Sequence, residues 1–337
     1  MKLWLRHEVK DNERRTPITP KNAQRLLEFG HSICVEESET RIFSTNEYEK
    51  IGCEIVKQGS WQNASKDTII IGLKELPEDD FELVHQHIYF AHVFKGQSGY
   101  EKVLNRYKLG GGTLFDLEYL TDESKRRIAA FGKWAGYVGA ALGVALYFDK
   151  KFKVKSFPNK EALINSIKQK ISTKINSIII GAKGRSGQGA VEAITDLGLK
   201  STNWDYEETK GKSHFQEILD HDLFVNTVLM TKKIEPFLNL EMLQSPHKLR
   251  IISDVSCDPS SDLNPIPVYN SITSWDAPLE QVKGTDVFVQ AIDNLPSILP
   301  KESSIDFSDQ LIEHLINFEK QSTPWKNAKE EFLSHLR

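Results

Sequence analysis

The 337-residue chain has few cysteines, no long apolar run and little net charge. Its three cysteines, Cys34, Cys53 and Cys257, are far apart, which excludes a disulfide framework or a cysteine-rich zinc site and predicts reduced thiols and a cytoplasmic location. The longest apolar stretch, residues 134–148, is too short to span a bilayer, and residues 1–8 lack the apolar core of a signal peptide. A net charge of −4 favours neither a nucleic-acid nor a membrane partner.

What the sequence does contain is a regular alternation of strand and helix signals. A chain of this length exceeds one typical core, so two domains are expected. The alternation occurs in two series, and it predicts an α/β fold of two Rossmann-like, doubly wound domains with the active site in the cleft between them. The predicted strands are residues 3–6, 32–37, 54–56, 68–72, 88–92 and 113–117 in the first domain, and residues 175–180, 202–205, 223–228, 250–255 and 287–290 in the second.

A long helix rich in small residues is predicted over residues 125–147, at the boundary between the domains. Glycine in a helix costs about 1 kcal/mol against alanine, so its presence here predicts the close approach of another element. The C-terminal helix predicted over residues 307–318 is expected to return to the first domain. The small residues share one face at three- and four-residue spacing, and they are Gly132, Gly136, Ala140 and Gly143.

Two apolar runs of the first domain end at ionisable side chains. Residues 69–73 lead to Lys74, and residues 88–91 lead to His92. Ligands of α/β sheets lie outside the carboxyl ends of the strands, so both side chains are expected to face one crevice. Lysine loses its proton when desolvated and histidine titrates near neutrality, so the pair is suited to proton transfer. The simpler alternatives are a solvated Lys74 paired with Glu75, and a core histidine at position 92.

A lysine that acts as a base must be neutral, and its ordinary pKa is about 10.4. Burial or a nearby cation would lower the pKa of Lys74, whereas the carboxylates of Glu75 and Glu118 would raise it. Two other histidines, His85 and His87, are predicted to lie in the preceding helix or turn as structural or solvated residues. No second group of ligands completes a metal cluster with them, and no metal is expected.

A glycine-rich segment follows the first strand of the second domain and contains Gly181, Gly184, Gly187 and Gly189. In such a turn the backbone and the helix N-terminus bind a pyrophosphate, although the spacing here is not the usual G-x-G-x-x-G. Asp205 lies 21 residues after Gly184, where a carboxylate binds the ribose hydroxyls and repels a 2′-phosphate. The segment therefore predicts NAD binding by residues 131–291, and residues 1–130 with 292–337 form the predicted substrate domain. The alternative is a tight turn with Asp205 on the surface.

Sequence blocks spread over nearly the whole chain carry more information than any one motif. They comprise residues 3–6, Arg15 with 19–20, residues 70–75, 90–92, 112–118, 126–127, 130–132, 140–144, 184–187, 204–205, 254–256 and 292–297. In content and order these blocks resemble the NAD-dependent, lysine-forming saccharopine dehydrogenases of the fungal α-aminoadipate pathway. Alanine dehydrogenases and transhydrogenase subunits are related to these enzymes but are less similar to this chain.

The resemblance implies that NAD oxidises saccharopine at the carbon that joins its glutaryl half to the lysine nitrogen, and that water splits the resulting imine into lysine and 2-oxoglutarate. It implies that Lys74 takes the amine proton and that His92 is the acid–base group for hydrolysis. The implied substrate-binding residues are Arg15, Lys95, Gln97, Glu118, Phe131, Ser256, Cys257 and Asp258. The implied NAD-binding residues are Arg126, Gly184, Arg185, Asp205, Thr209, Leu229, Val255, Ile292, Asp293, Asn294 and Leu295.

Three of the site residues have simpler alternatives. Arg15 is preferred over Arg14 from the resemblance alone, since arginines in a charged turn are often only solvated. Glu118 either orients the substrate and tunes Lys74 or is a surface carboxylate. Asp293 either contacts the cofactor or caps a helix.

The chain departs from the family at Ser186, Leu229 and Cys257, and residues 269–289 match it poorly. These departures leave open a related NAD-dependent amino-acid or opine dehydrogenase that acts on another amine. An NAD-binding regulatory protein without activity is the remaining alternative, and the presence of both Lys74 and His92 argues against it. The expected partners are small-molecule substrates, and the chain is expected to be a monomer or a weak homo-oligomer.

Overall fold

The structure is a computed structural model that describes residues 1–212 and 215–336, and it divides into two compact units. Unit 1 is Met1–Ala130 with the C-terminal segment from Pro300, and unit 2 is Phe131–Leu299. In chain order, unit 1 starts with β1 (Lys2–Leu5), α1 (Pro20–Glu28), β2 (Ser32–Glu36), α2 (Thr45–Glu49), β3 (Glu54–Val56), β4 (Ile69–Ile71), β5 (Gln86–Tyr89), α3 (Tyr100–Gly110) and β6 (Thr113–Asp116).

Unit 2 follows as one continuous segment, after which the chain returns to unit 1. Unit 2 contains α4 (Gly132–Phe148), α5 (Lys160–Lys168), β7 (Asn176–Ile180), α6 (Arg185–Asp196), β8 (Lys200–Trp204), α7 (Tyr206–Thr209), α8 (Gln216–Leu219), β9 (Leu223–Asn226), β10 (Ile251–Asp254), β11 (Glu280–Gln281) and β12 (Phe288–Gln290). The returning helices are α9 (Pro300–Ile316) and α10 (Thr323–His335). The prediction that the C-terminal helix belongs to the first domain is confirmed.

Each unit is built on a six-stranded sheet. The strand order is β3-β2-β1-β4-β5-β6 in unit 1, where all pairs are parallel. It is β11-β12-β10-β9-β7-β8 in unit 2, where only the pair β11–β12 is antiparallel. The order reverses between β1 and β4 in unit 1 and between β7 and β9 in unit 2, the points at which such sheets bind ligands. Two doubly wound, Rossmann-like sheets are thus confirmed.

The small-residue face of α4 packs against α6, the helix that follows the glycine-rich turn. A Cβ on Gly136 would lie 1.7 Å from the Ser186 carbonyl oxygen, and one on Gly189 would lie 1.9 Å from the Lys133 carbonyl oxygen. The two backbones therefore touch, and no larger residue fits at either position. This contact confirms the close approach that the glycines predict.

The helix predicted over residues 125–147 begins instead at Gly132. The Asp122 carboxylate accepts hydrogen bonds from the N–H groups of Ser124 and Arg126, and Lys125 has a φ of 59°. These contacts form a turn that satisfies the N–H groups a helix would use. The prediction of helix before Gly132 was therefore wrong.

Three other assignments change. Residues 292–299, predicted to belong to the first domain, lie in unit 2, because Leu295 and Ile298 pack into its core beside α4. His87, predicted in a helix or turn, lies on β5 and is fully buried. Helix α10 has no counterpart among the predicted elements, although Ser322 at its N-cap and Pro324 in its first turn form a pattern typical of helix starts. Among the described residues no helix is long and apolar enough to cross a membrane.

Candidate active site

Strands β4 and β5 bring Lys74 and His92 to the same edge of the unit 1 sheet. The two strands are parallel neighbours, with Ile71 opposite Ile88. The pairing continues beyond them, since the Phe90 N–H donates to the Leu73 carbonyl at 3.0 Å. Each side chain lies three residues after its strand, and a φ of 54° turns the chain at His92. The adjacency expected from the sequence is therefore present in the structure.

The environment of Lys74 favours its neutral form. Burial lowers the pKa of its amine, and the positive charge of Arg15 lowers it further. The carboxylates of Glu13 and Glu75 act in the opposite direction but do not reverse the shift. Lys74 is thus poised to accept a proton nearer neutrality than an ordinary lysine does, because desolvation outweighs the nearby carboxylates.

His92 shares this environment. Burial lowers the pKa of its imidazole, and the charge of Lys74 lowers it as well. Its Nε2 lies 3.9 Å from Glu75 Oε1, and the carboxylates of Glu75 and Glu118 partly oppose the shift. The protonation states of Lys74 and His92 are therefore linked, which suits a pair that handles protons in sequence.

Arg15 lies in a buried ion pair and not on the surface. Its Nε donates to Glu13 Oε1 at 2.8 Å and its Nη2 donates to Glu13 Oε2 at 2.5 Å, with both side chains at most 1% exposed. Although burial opposes ionisation, the Arg15 guanidinium holds the pKa of Glu13 at about 2. Arg14, in contrast, donates to the Thr40 carbonyl at the surface. The positive charge of Arg15 thus acts on the pKa of Lys74. A contact between Arg15 and the substrate stays a prediction.

The remaining candidates of unit 1 lie on the segment after His92 and on the turn after β6. Lys95 forms an ion pair with Glu118 at 2.7 Å, and its N–H donates to the Gln97 side chain at 2.8 Å. Glu118 is 25% exposed and its partner Lys95 is 59% exposed, so the ion pair lies at the surface, and a role of Glu118 toward the substrate stays a prediction. Arg126 is exposed and pairs with Asp122 at 3.4 Å.

The substrate-binding candidates of unit 2 lie at the start of α4 and after β10. Phe131 directly precedes the first helical residue of α4. Ser256 donates to the Val228 carbonyl at 2.7 Å, and the Cys257 thiol donates to the Ala291 carbonyl at 3.0 Å. Burial raises the pKa of Cys257 to about 12, which disfavours the thiolate form that a nucleophile needs. Asp258 is exposed.

The glycine-rich turn of unit 2 is shaped for close contact with a ligand. Gly181 has a φ of 89°, which favours glycine, and Gly184 occupies the N-cap position of α6. A Cβ on Gly187 would lie 2.0 Å from the Gly181 carbonyl oxygen, so the turn closes only with glycine there. Beside it lies a cavity of about 620 Å³ whose lining includes Gly184, Asp205, Thr209 and Leu229.

Asp205 holds the glycine turn as well as lining the cavity. Its Oδ2 accepts a hydrogen bond from the Lys183 N–H and its Oδ1 accepts one from the Tyr206 N–H, both at 2.8 Å. Leu229 follows β9, the neighbour of β7. Its side chain is 72% exposed and offers an apolar surface that a bound ligand would cover. Four residues predicted to bind NAD are thus together at the point where the strand order of unit 2 reverses.

The other predicted NAD contacts are not among the cavity residues. Ile292 and Leu295 are each 2% exposed and pack in the unit 2 core, so their side chains serve packing. The N-cap of the short helix Leu295–Ile298 is Asn294, with a φ of 62°, and not Asp293. Asp293 is exposed. Val255 packs over Gly139 of α4. Arg185 is the first residue of α6.

Several charged residues at the unit 1 site were not predicted. Arg6 and Glu8 follow β1, Asp116 ends β6, and Glu13 pairs with Arg15, yet all four are buried. Two of them could have been found from the sequence, since Glu8 and Asp116 lie at the carboxyl ends of predicted strands just as Lys74 does. Within residues 1–212 and 215–336 no group of three or more histidine, cysteine or acidic side chains is arranged to hold a metal ion.

Known proteins match this chain over nearly its whole length. The family model for the alanine dehydrogenase/PNT N-terminal domain matches residues 4–138. The saccharopine dehydrogenase (NAD(+), L-lysine-forming) of Emericella nidulans is 44% identical, with 98% of this chain and 96% of that protein covered. Its counterpart in Yarrowia lipolytica is 40% identical, with 100% and 98% covered. A solved L-alanine dehydrogenase shares the fold, with a TM-score of 0.72 at 15% identity over 99% of this chain and 94% of that one.

Proposed function

The chain belongs to the family of the NAD-dependent, L-lysine-forming saccharopine dehydrogenases, and we propose that Lys74 and His92 perform the acid–base steps of its reaction. In that reaction saccharopine, NAD⁺ and water give L-lysine, 2-oxoglutarate, NADH and a proton, reversibly. The observation that carries the assignment is the pair itself: a lysine and a histidine with lowered pKa values at neighbouring strand ends.

Lys74 is the base of the oxidation step. The secondary amine of saccharopine must lose its proton as hydride leaves the adjacent carbon, and a neutral lysine amine can take it. Burial and the charge of Arg15 lower the pKa of Lys74, which makes that neutral form more accessible than in an ordinary lysine. The product of this step is an imine between the lysine nitrogen and the glutaryl carbon.

His92 is the acid–base group of the hydrolysis step. A water must lose a proton as it attacks the imine carbon, and the lysine nitrogen must gain one before the carbon–nitrogen bond breaks. An imidazole exchanges both protons near neutral pH. Glu75 lies within 3.9 Å of the ring and favours the imidazolium form that results from taking the first proton.

The residues around the unit 2 cavity fit NAD. The tight turn at Gly181–Gly187 brings main chain close to a ligand, Asp205 offers a carboxylate for ribose hydroxyls, and Leu229 offers an apolar surface. When bound, NAD accepts the hydride from the substrate carbon. The predicted site between the two domains stays a prediction.

An amine panel tests the proposed function. The purified protein is mixed with NADH, 2-oxoglutarate and one amine, which is lysine, ornithine, alanine or ammonia, and the loss of NADH absorbance is followed. We expect turnover with lysine at a rate far above that with the other amines. A preference for ornithine or alanine would instead establish the alternative of a related dehydrogenase, which the departures at Leu229 and Cys257 favour. Binding of NADH without turnover on any amine would establish a regulatory protein.

We also propose a cytoplasmic location and a monomeric or weakly associating state. All three cysteines are free in the structure, which supports a reducing compartment. Cell fractionation and light scattering of the purified protein over a range of concentrations test these two proposals.

A further inference from the structure

A buried carboxylate holds the strand end that carries Lys74. Glu8 follows β1, the neighbour of β4, and is 8% exposed. Its Oε1 accepts a hydrogen bond from the Leu73 N–H at 2.6 Å, and its Oε2 accepts one from the Lys74 N–H at 2.9 Å. One side chain therefore fixes two successive peptide groups, the second of which belongs to the proposed base.

Arg6 completes this hold from the same strand end. Its Nη1 donates to Glu8 Oε2 at 3.3 Å, and its Nη2 donates to the carbonyl oxygen of Lys74. Gly72 provides the space for the guanidinium, since a Cβ there would lie 2.4 Å from Arg6 Nε. The main chain of Lys74 is thus engaged at both its N–H and its carbonyl group.

A second buried carboxylate holds the strand end that carries His92. Asp116 ends β6, the neighbour of β5, and is 1% exposed. Its Oδ2 accepts a hydrogen bond from the N–H of Ala91, which directly precedes His92, at 3.2 Å. Its Oδ1 accepts one from the Glu118 N–H at 2.9 Å. Like Glu8, Asp116 thus accepts two main-chain hydrogen bonds, but only one of them comes from the segment that carries His92.

These two carboxylates carry an energetic cost. Burial raises the pKa of Asp116 to about 7 and also raises the pKa of Glu8, because the charged form loses its water. Buried charges are often replaceable by well-packed apolar residues with no loss of stability. A carboxylate that accepts two main-chain hydrogen bonds does, however, fix a chain segment more closely than apolar packing does.

From this geometry we propose that Glu8 and Asp116 are positioning residues for proton transfer: Glu8 fixes the main chain of Lys74, and Asp116 fixes the peptide N–H of Ala91, directly before His92. The inference rests on the proposed function of that pair. Proton transfer needs donor and acceptor within hydrogen-bond reach of the reacting atoms. A displacement of about 1 Å at a reacting group lowers a rate by about 100-fold.

The variants Glu8→Gln and Asp116→Asn test the proposal. Each keeps the size of the side chain, but its amide NH₂ replaces one accepting oxygen, so one of the two main-chain hydrogen bonds is lost. We expect kcat to fall by about 100-fold, with the KM for lysine and the affinity for NADH nearly unchanged, because substrate and cofactor contacts stay in place. We also expect the pH profile of kcat/KM to change, which a smaller fraction of folded protein would not cause.

Asp222→Asn is the control. The half-buried Asp222 carboxylate of unit 2 accepts hydrogen bonds from the Asn176 N–H at 2.8 Å and from the Tyr147 hydroxyl at 3.4 Å. It thus makes the same kind of hydrogen bonds but touches neither the segments of Lys74 and His92 nor Arg6, Glu8 and Asp116. We expect it to lower the unfolding temperature while kcat is retained. An equal loss of kcat in all three variants would overturn the proposal.

Two further measurements keep the result unambiguous. If Glu8→Gln does not fold, Arg6→Lys tests the same hold, because it keeps the positive charge but loses the planar guanidinium that reaches both Glu8 and the Lys74 carbonyl. Lys74→Met and His92→Gln are assayed in parallel. Normal kcat in Glu8→Gln and Asp116→Asn beside inactive Lys74→Met and His92→Gln would overturn the positioning role alone. Full activity of Lys74→Met and His92→Gln would overturn the proposed function instead.

Discussion

Each unit has its candidate site where the strand order of its own sheet reverses, but the two sites consist of different kinds of residues. In unit 1 the edge beside β1 and β4 carries charged side chains, among them Arg6, Glu8 and Lys74, that are held in pairs or hydrogen bonds. In unit 2 the edge beside β7 and β9 carries a glycine turn. Its main chain packs so closely that a Cβ on Gly187 would lie 2.0 Å from the Gly181 carbonyl oxygen.

This difference fits the role proposed for each site. Proton transfer by a lysine near neutral pH requires a lowered pKa, and burial, nearby charges and hydrogen bonds produce such shifts. A dinucleotide requires N–H groups and close approach of its phosphates, which glycine provides and charged side chains would obstruct. Substitutions in unit 1 should therefore change the chemistry, and substitutions in unit 2 should change cofactor affinity.

The largest effect is expected at Lys74. Lys74→Met removes the proposed base but keeps the length of the side chain, so we expect kcat to fall by about 100- to 10,000-fold. NADH affinity, measured by fluorescence titration, should stay nearly the same because the glycine turn is in unit 2. A large loss of NADH affinity would contradict the separation of chemistry and cofactor binding between the units.

Gly187→Ala should have the converse effect. The added Cβ would meet the Gly181 carbonyl oxygen at 2.0 Å, so the turn must open. We expect NADH affinity to fall by about 10- to 100-fold, the equivalent of a moderate overpacking cost. Gly132→Ala is the control, since its Cβ would meet the movable Ser186 hydroxyl at 3.2 Å. Unchanged NADH affinity in Gly187→Ala would show that the turn does not bind the cofactor.

Asp205→Ala should weaken NADH binding by about tenfold, the size of one lost charge-assisted hydrogen bond. It should also relax the discrimination against NADPH, because the carboxylate no longer repels a 2′-phosphate. Asp205→Asn distinguishes loss of the negative charge from disruption of the turn. Its side chain is neutral but can still accept one of the hydrogen bonds from the N–H groups of Lys183 and Tyr206. An unchanged ratio of NADH to NADPH affinity in both variants would contradict the ribose contact.

The smallest effect is expected for Glu75→Gln and concerns pH alone. The Glu75 carboxylate raises the pKa of both Lys74 and His92 by favouring their protonated forms. Its removal should lower both pKa values. Because a base works only when neutral, saccharopine oxidation should then set in at lower pH, and the acidic limb of kcat/KM should move down. The exposed Glu78→Gln is the control, and a shift to higher pH in Glu75→Gln would reverse the assigned sign.

Much of the fold could be predicted because strand and helix periodicity is local. The errors occurred where side-chain contacts, and not the local sequence pattern, decide the structure. Asp122 binds the N–H groups of a segment that otherwise reads as helix, and Leu295 joins a core that the sequence does not identify. Lys74 and His92 could be identified because each follows an apolar strand, and Asp205 because it lies 21 residues after Gly184.

The two doubly wound units, the glycine turn and the ionisable residues at the strand ends could be predicted from the sequence, since they depend on residues near one another along the chain. The lowered pKa of Lys74 became visible only in the folded structure, because burial and the charge of Arg15 arise from segments far apart in sequence. The folded structure also showed that Arg15 pairs with Glu13, and that Glu8 and Asp116 hold the two strand ends. Electrostatic energies depend on distance and on the exclusion of water, and neither can be read from the order of the residues.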